Sequence, residues 1–164
     1  MRNPAPTPPL KIHELLREPL ILPDLAADDG EGALKEMSGL LAGYDKAFAE
    51  KKIYENLLQR ESLGSTAIGE GFALPHGKVS GLNKPVIVLA VSKNGVPFKA
   101  VDGKAVRVFF LVVSSAENPV PNLQVLAAAA RLIRGSRSLL KKMLKARTAP
   151  ALMDIVREEE EKIL

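Results

Sequence analysis

Cysteine is absent from the 164 residues, which excludes disulfide scaffolds, thiolate metal sites, iron–sulfur clusters and cysteine nucleophiles. Tryptophan is absent too, and aromatics are only 4% of the chain, so there is little to stack on bases or sugars. Histidine occurs twice, as His13 and His76. A metal site would therefore rest mostly on carboxylates, and neither an HExxH pattern nor an EF-hand loop is present. No metal is expected. The longest apolar stretches, 85–91 and 108–113, are far too short to span a bilayer. The opening residues, MRNPAPTPPLK, lack the apolar core of a signal peptide, so a reducing, cytoplasmic location is expected.

What is present suits one domain. Hydrophobic residues at 46% and charged residues at 26% supply a core without the composition of a disordered chain. Lys and Arg number 23 against 19 Asp and Glu, a net +4 that favours solubility rather than a polyanion partner. The distribution is uneven. Residues 131–147 hold seven cations (Arg131, Arg134, Arg137, Lys141, Lys142, Lys145 and Arg147) and no anion, and an acidic run follows at 158–161. With no interleaved aromatics, the cluster is not read as a nucleic-acid site. Its spacing suits the polar faces of amphipathic helices.

Four prolines in the first nine residues predict an extended tail. A helical turn at 12–17 and a short strand at 20–22 follow, the strand bracketed by Pro19 and Pro23 and so placed at a sheet edge. Asp28 or Asp29 caps a helix that Gly43 should stop, and Asp45 is expected to cap a second helix ending near 62–64. The period then changes. VIVLAV at 86–91 and VRVFFLVV at 106–113 are β-branched apolar runs that suit central strands covered on both faces. Asn94-Gly95 and Asp102-Gly103 predict turns between them. After Pro119 and Pro121 a helix with an apolar stripe through Leu123, Leu126, Ala127, Ala130, Leu132 and Ile133 runs to Gly135, and Ser136 and Thr148 look like caps of two more. The order predicts an α/β fold: a single-domain sandwich with a central mixed sheet and helices on both faces.

One stretch, 60–77, is polar and glycine-rich between a helix and a buried strand, and its histidine falls between Pro75 and Gly77. Loops held at strand ends are favoured places for reactive groups. Residue by residue, two readings stand. His76 is a reactive imidazole or a loop histidine bonded to backbone. Gly69 and Gly71 lack the third glycine of a dinucleotide fingerprint, no P-loop follows, and both suit tight turns.

Taken whole, the stretch resembles the active-site signature of the bacterial phosphotransferase-system (PTS) EIIA domains of type 2, the fructose, mannitol and nitrogen-regulatory group. That signature runs arginine-glutamate (Arg60-Glu61), serine-threonine (Ser65-Thr66), glycine-x-glycine (Gly69 and Gly71) and proline-histidine (Pro75-His76). The resemblance extends over about 20–155, includes Asp102-Gly103-Lys104 and the helix start at Asn122-Leu123, and is strongest to a stand-alone nitrogen-regulatory IIA protein. It implies a proline-rich tail at 1–10 and an EIIA domain at 11–160. It also implies a phosphocarrier, with no cofactor, whose His76 takes a phosphoryl group from HPr or a nitrogen-branch HPr-like protein. A neutral imidazole is a good nucleophile, and phosphoryl transfer needs mainly positioning and charge neutralisation.

By the same resemblance Arg60 grips the phosphoryl oxygens, where the plainer role is a surface ion pair. Glu70 orients Arg60 or His76, and Ser65 and Thr66 donate to the phosphoryl group or simply shape the turn. Many members carry a second histidine where this chain has Asn122, which can donate a hydrogen bond or cap the helix but cannot shuttle a proton. Onward partners would be an EIIB protein, a sensor kinase or a transporter, with no nucleic acid and no membrane insertion. The other reading is a regulatory module whose docking depends on phosphorylation, with little onward transfer. His13 lies outside the signature and is expected to face solvent.

Overall fold

The two continuous apolar runs form the middle of the sheet. In the computed structural model, which describes residues 9–164, they are antiparallel neighbours. Most of the proline-rich tail therefore lies outside the described residues. Along the chain the elements are α1 (Ile12–Leu15), a 3-10 turn (Glu18–Leu20), β1 (Ile21–Leu22), α2 (Gly30–Tyr44) and α3 (Glu50–Ser62). Four strands of the sheet's edge and centre follow as β2 (Ala67–Gly69), β3 (Phe72–Ala73), β4 (His76–Val79) and β5 (Val86–Val96). The chain closes with β6 (Val106–Ser115), α4 (Val120–Gly135), α5 (Leu139–Lys145) and α6 (Ala149–Ile163).

Strand order is β1-β5-β6-β3-β2, with β4 pairing β6 beyond β3. Both β3 and β4 run parallel to β6, Phe72 opposite Val108 and His76 opposite Val112. The sheet is mixed, as expected, and helices cover both faces. Alternation along β6 sends Val108, Phe110 and Val112 to a core with α1, α4, α5 and α6. Val106, Phe109, Leu111 and Val113 go to a second core under α2 and α3. Two apolar faces explain why the runs are unbroken. Fully burying a side chain such as Phe109 or Leu111 contributes about 1.5–3 kcal/mol.

Several local expectations are corrected. Asn94-Gly95 lies inside β5, where Gly95 (φ +86°) marks a bulge; Asp102-Gly103 is the turn. Ala105 Cβ would stand 2.9 Å from any Cβ at Gly95, so the bulge also permits close strand approach. Asp29 does cap α2, accepting Gly32 N–H at 2.6 Å, but the helix continues through Gly43 to Tyr44. Asp45 instead forms a turn with Ala47 N–H at 2.9 Å, five residues before α3 begins. Thr148 caps α6, whereas Ser136 is buried and donates to Glu159 at 2.8 Å. The buried face of α4 carries Asn122, Val125, Ala128, Ala129 and Leu132; of the expected stripe Leu132 lies on it, Leu126 and Ile133 flank it half-buried, and Leu123 is exposed.

Candidate functional site

Helix α3 and strand β4 lie side by side at the sheet edge because one position has no side chain. A Cβ on Gly77 would stand 2.5 Å from Asn56 Oδ1 and 3.3 Å from Leu57 Cδ2. Asn56 fastens the approach by accepting the Lys78 N–H at 2.9 Å. Neither Asn56 nor the need for Gly77 was evident from the motif, since both arise from a contact between elements 22 residues apart.

This approach puts Arg60, in the last turn of α3, beside the first residue of β4. Arg60 Nε donates to His76 Nε2 at 3.3 Å, and its Nη1 donates to the Gly64 carbonyl at 2.7 Å. His76 Nδ1 lies 2.8 Å from the Leu74 carbonyl oxygen. A carbonyl only accepts and a guanidinium only donates. Together they select one neutral tautomer, with the proton on Nδ1 and the lone pair on Nε2. The half-buried ring turns an unprotonated nitrogen toward a fixed cation.

The loop after Arg60 is closed by its own side chains. Glu61 accepts the Thr66 N–H at 3.1 Å and also the Thr66 hydroxyl. Ser65 Oγ donates to the Phe98 carbonyl at 2.6 Å and accepts the Ala67 N–H at 3.1 Å. The Ser65 and Thr66 hydroxyls are thus engaged in the loop itself. Glu61 was legible as half of the arginine-glutamate pair but not as the loop's clasp. Behind the loop is a cleft of about 460 Å³ whose walls include Glu31, Leu34, Leu58, Glu61, Ser65 and Phe98 but not His76.

Glu70 is elsewhere. Gly69, Glu70 and Gly71 have φ of +92°, +55° and +89° and make the tip of the β2–β3 hairpin. The Glu70 N–H donates to Asp102 at 2.9 Å, and its exposed carboxylate pairs with Lys104 at 3.3 Å. The N–H groups of Glu70 and then Lys104 hold the Asp102 carboxyl below its ordinary value. The hairpin meets β6 at Val108 and His76 meets it at Val112, about 13 Å further along the strand. The expected orienting contact from Glu70 to Arg60 or His76 is replaced by this ion pair.

Asn122 sits in the first turn of α4, buried, and its Oδ1 has no hydrogen-bond partner among the described residues. It does not cap the helix: that end is met by Asn118, whose Oδ1 accepts Val120 N–H at 3.3 Å. Ser114 Oγ is buried and unpartnered as well. By strand alternation Ser114 shares the α4-facing side with Val112, the residue opposite His76. Unpaired buried polar atoms cost about 1–3 kcal/mol each, so two on the face and at the end of the sheet where His76 stands are conspicuous.

His13 does not face solvent as expected. Its Nδ1 lies 2.7 Å from Glu160 Oε1, and Glu160 also accepts the backbone N–H of Ile12 at 2.7 Å and of His13 at 3.0 Å. Glu160 is 2% exposed. Among the described residues no three His, Cys, Asp or Glu are grouped to hold a metal ion, and no helix is long and apolar enough to cross a membrane.

The fold and the matched span define a phosphoryl-transfer domain of the type 2 EIIA class. Residues 14–159 match the family described as "Phosphoenolpyruvate-dependent sugar phosphotransferase system, EIIA 2", and the chain belongs to that family of phosphocarrier-type proteins. Within it, the chain is 33% identical over 147 residues to a nitrogen regulatory protein from Bradyrhizobium diazoefficiens, covering 90% of this chain and 95% of that one. It is 29% identical to the fructose-specific EIIABC component of Bacillus subtilis, over 92% of this chain but 24% of that protein. Among solved structures, nitrogen regulatory protein IIA-Ntr from Neisseria meningitidis is similar at a TM-score of 0.77 and 26% identity, covering 88% of this chain and 98% of that one.

Proposed function

We propose that His76 Nε2 accepts a phosphoryl group from the phosphohistidine of HPr or a nitrogen-branch HPr-like protein. One observation carries this reading: the Nε2 lone pair faces Arg60 Nε at 3.3 Å while Nδ1 is tied to the Leu74 carbonyl. In the transfer the lone pair forms the new N–P bond as the donor's N–P bond breaks, and the donor imidazole recovers its electron pair. The proton stays on Nδ1, which donates it in a hydrogen bond to the Leu74 carbonyl, and this contact eases the positive charge that the ring acquires. Arg60 exchanges its contact with Nε2 for the phosphoryl oxygens, where a guanidinium binds two at once. A protein donor suits a histidine that is not among the walls of the cleft behind the loop.

The onward acceptor is an EIIB protein, or the phosphorylated state itself is the output and is sensed by a kinase or transporter. Asn122 favours the second course, because an amide in place of a second imidazole holds a phosphoryl oxygen without shuttling a proton. Ser65 and Thr66 support the site by fixing the loop after Arg60, whose Gly64 carbonyl holds the guanidinium.

Incubation with phosphoenolpyruvate, enzyme I and HPr-type proteins, followed by mass spectrometry, tests the reading. Acid-labile phosphate on the wild type and none on His76→Ala is expected. Equal labelling of the variant would overturn it. Asn122→His then tests the second position: faster transfer to an EIIB acceptor supports a limit set by asparagine, and an unchanged rate removes it.

A further inference from the structure

Six of the seven cations at 131–147 have no side-chain hydrogen bond or ion pair among the described residues. Arg131, Arg134, Arg137, Lys141, Lys145 and Arg147 are all exposed. Lys142 is different: its ammonium pairs with buried Glu159, which also takes Ser136 at 2.8 Å and Lys162 at 3.2 Å. The neighbouring anions belong to α6. Glu158 reinforces the charge on Lys142, and Asp154 takes Arg157 at 3.1 Å.

Local roles for the six are few. Arg134 suits the C-terminal turn of α4. The carbonyls that end α5 already receive Lys93, whose Nζ donates to Leu144 at 2.7 Å and Ala146 at 2.6 Å. Lys145 and Arg147 are left without that task. The six follow one another at intervals of three, three, four, four and two residues, with no anion between them. Arg131 and Arg134 stand one turn apart on α4 and Lys141 and Lys145 one turn apart on α5, with Arg137 and Arg147 in the turns that follow these helices. Like charges at that spacing repel, so each helix bears its pair at some expense.

We propose that this stripe is a docking surface for an acidic protein segment, separate from the phosphoryl-bearing face. The pairs Arg131/Arg134 and Lys141/Lys145 meet carboxylates one helical turn apart, and four of the six are arginines, which bind carboxylate bidentately. No exposed large hydrophobic side chain falls within 131–147, so the surface has nothing to insert into a lipid bilayer. No aromatic residue falls there either, so bases have no stacking platform. Arg134 stands twelve residues, about 18 Å, along α4 from Asn122, so the cations begin toward the end of the helix away from the turn that follows β6. The surface does not depend on how His76 is used, and its affinity is the same with or without phosphate there.

The test is fluorescence anisotropy at low ionic strength with three probes: a labelled Glu/Asp-rich helical peptide, a DNA duplex of matched charge, and phosphatidylglycerol vesicles. The full chain binds the peptide best. The variant Arg134→Glu/Arg137→Glu/Lys141→Glu loses about tenfold or more in affinity, and the control Lys46→Glu/Lys51→Glu/Lys52→Glu changes about twofold at most. Melting temperature verifies the fold of each; if charge reversal unfolds the chain, Arg134→Gln/Arg137→Gln/Lys141→Gln gives a smaller loss in the same order. Equal losses in stripe and control variants, tighter binding to DNA or vesicles, or no peptide binding at all overturns the proposal.

Discussion

His13 and His76 both place Nδ1 against an oxygen acceptor, and what surrounds each ring separates their roles. His76 rests on an uncharged carbonyl and shows Nε2 to a guanidinium, so its immediate charged neighbour is a cation. His13 rests on a buried carboxylate that also caps the N-terminus of α1 by accepting two backbone N–H groups. A negative charge beside His13 would repel a phosphoryl group, while the same carboxylate suits a staple between the first and last helices. An imidazole becomes a candidate phosphoryl acceptor through the sign and fixity of its neighbours, not through exposure alone.

Removing the cation is the strongest way to break this contrast. Arg60→Ala should slow phosphoryl acceptance by about 10²–10³-fold, the scale of losing one preorganised charge-stabilising donor. Arg60→Lys should fall between, since it restores charge but not the fork. Single-turnover transfer from phosphorylated HPr measures both; wild-type speed in Arg60→Ala would leave Arg60 as a loop clamp only.

The staple comes next. Glu160→Ala should cost about 2–4 kcal/mol in urea unfolding, because it strands two backbone donors and the His13 ring. Phosphoryl acceptance should be unchanged once the protein is folded. A parallel loss of acceptance would erase the distinction between the two histidines.

Gly77→Ala probes the contact that brings α3 to His76. The new Cβ meets Asn56 Oδ1 at 2.5 Å, and forcing the two apart should cost about 1–3 kcal/mol. Adding Asn56→Gly removes that obstacle but also the acceptor of the Lys78 N–H, so it should recover only part of the loss. Full stability in Gly77→Ala would show that the helix does not need so close an approach.

The smallest effect is acidic. Glu159 is drawn from the ordinary 4.5 to about 2, chiefly by Lys142, with Ser136 and Lys162 assisting against the opposing effect of burial. The folded chain holds this proton less tightly than the unfolded one. Its contribution is complete above about 4.5 and disappears as pH falls toward about 2. Glu159→Gln should therefore flatten the acid limb of a stability profile, and an unaltered limb would remove Glu159 from acid unfolding.

Much of this architecture was legible because it is written in short-range pattern. VIVLAV and VRVFFLVV announce strands covered on both faces, and Arg60, Glu61, Pro75 and His76 stand at recognisable spacing. What escaped depends on contacts across the fold. The glutamates at 158–161 look like a solvated run, yet Glu159 and Glu160 are buried and join α6 to Ser136 and to α1. Asn94-Gly95 has turn chemistry that the strand pair uses as a bulge. Glu70 lies in the motif but spends its charge at the hairpin tip, paired with Lys104. Asn122 looked like a cap because asparagine caps well, and only the rotation of α4 buries it.

Nδ1 of His76 is committed to the Leu74 carbonyl, so the proposed phosphoryl acceptance falls to Nε2. Phosphorus–nitrogen coupling in the NMR spectrum of the ¹⁵N-histidine phosphoprotein measures this directly. Coupling to His76 Nε2, with the His13 resonances unshifted, is the predicted result. Phosphate on His76 Nδ1, or on His13, would contradict the account.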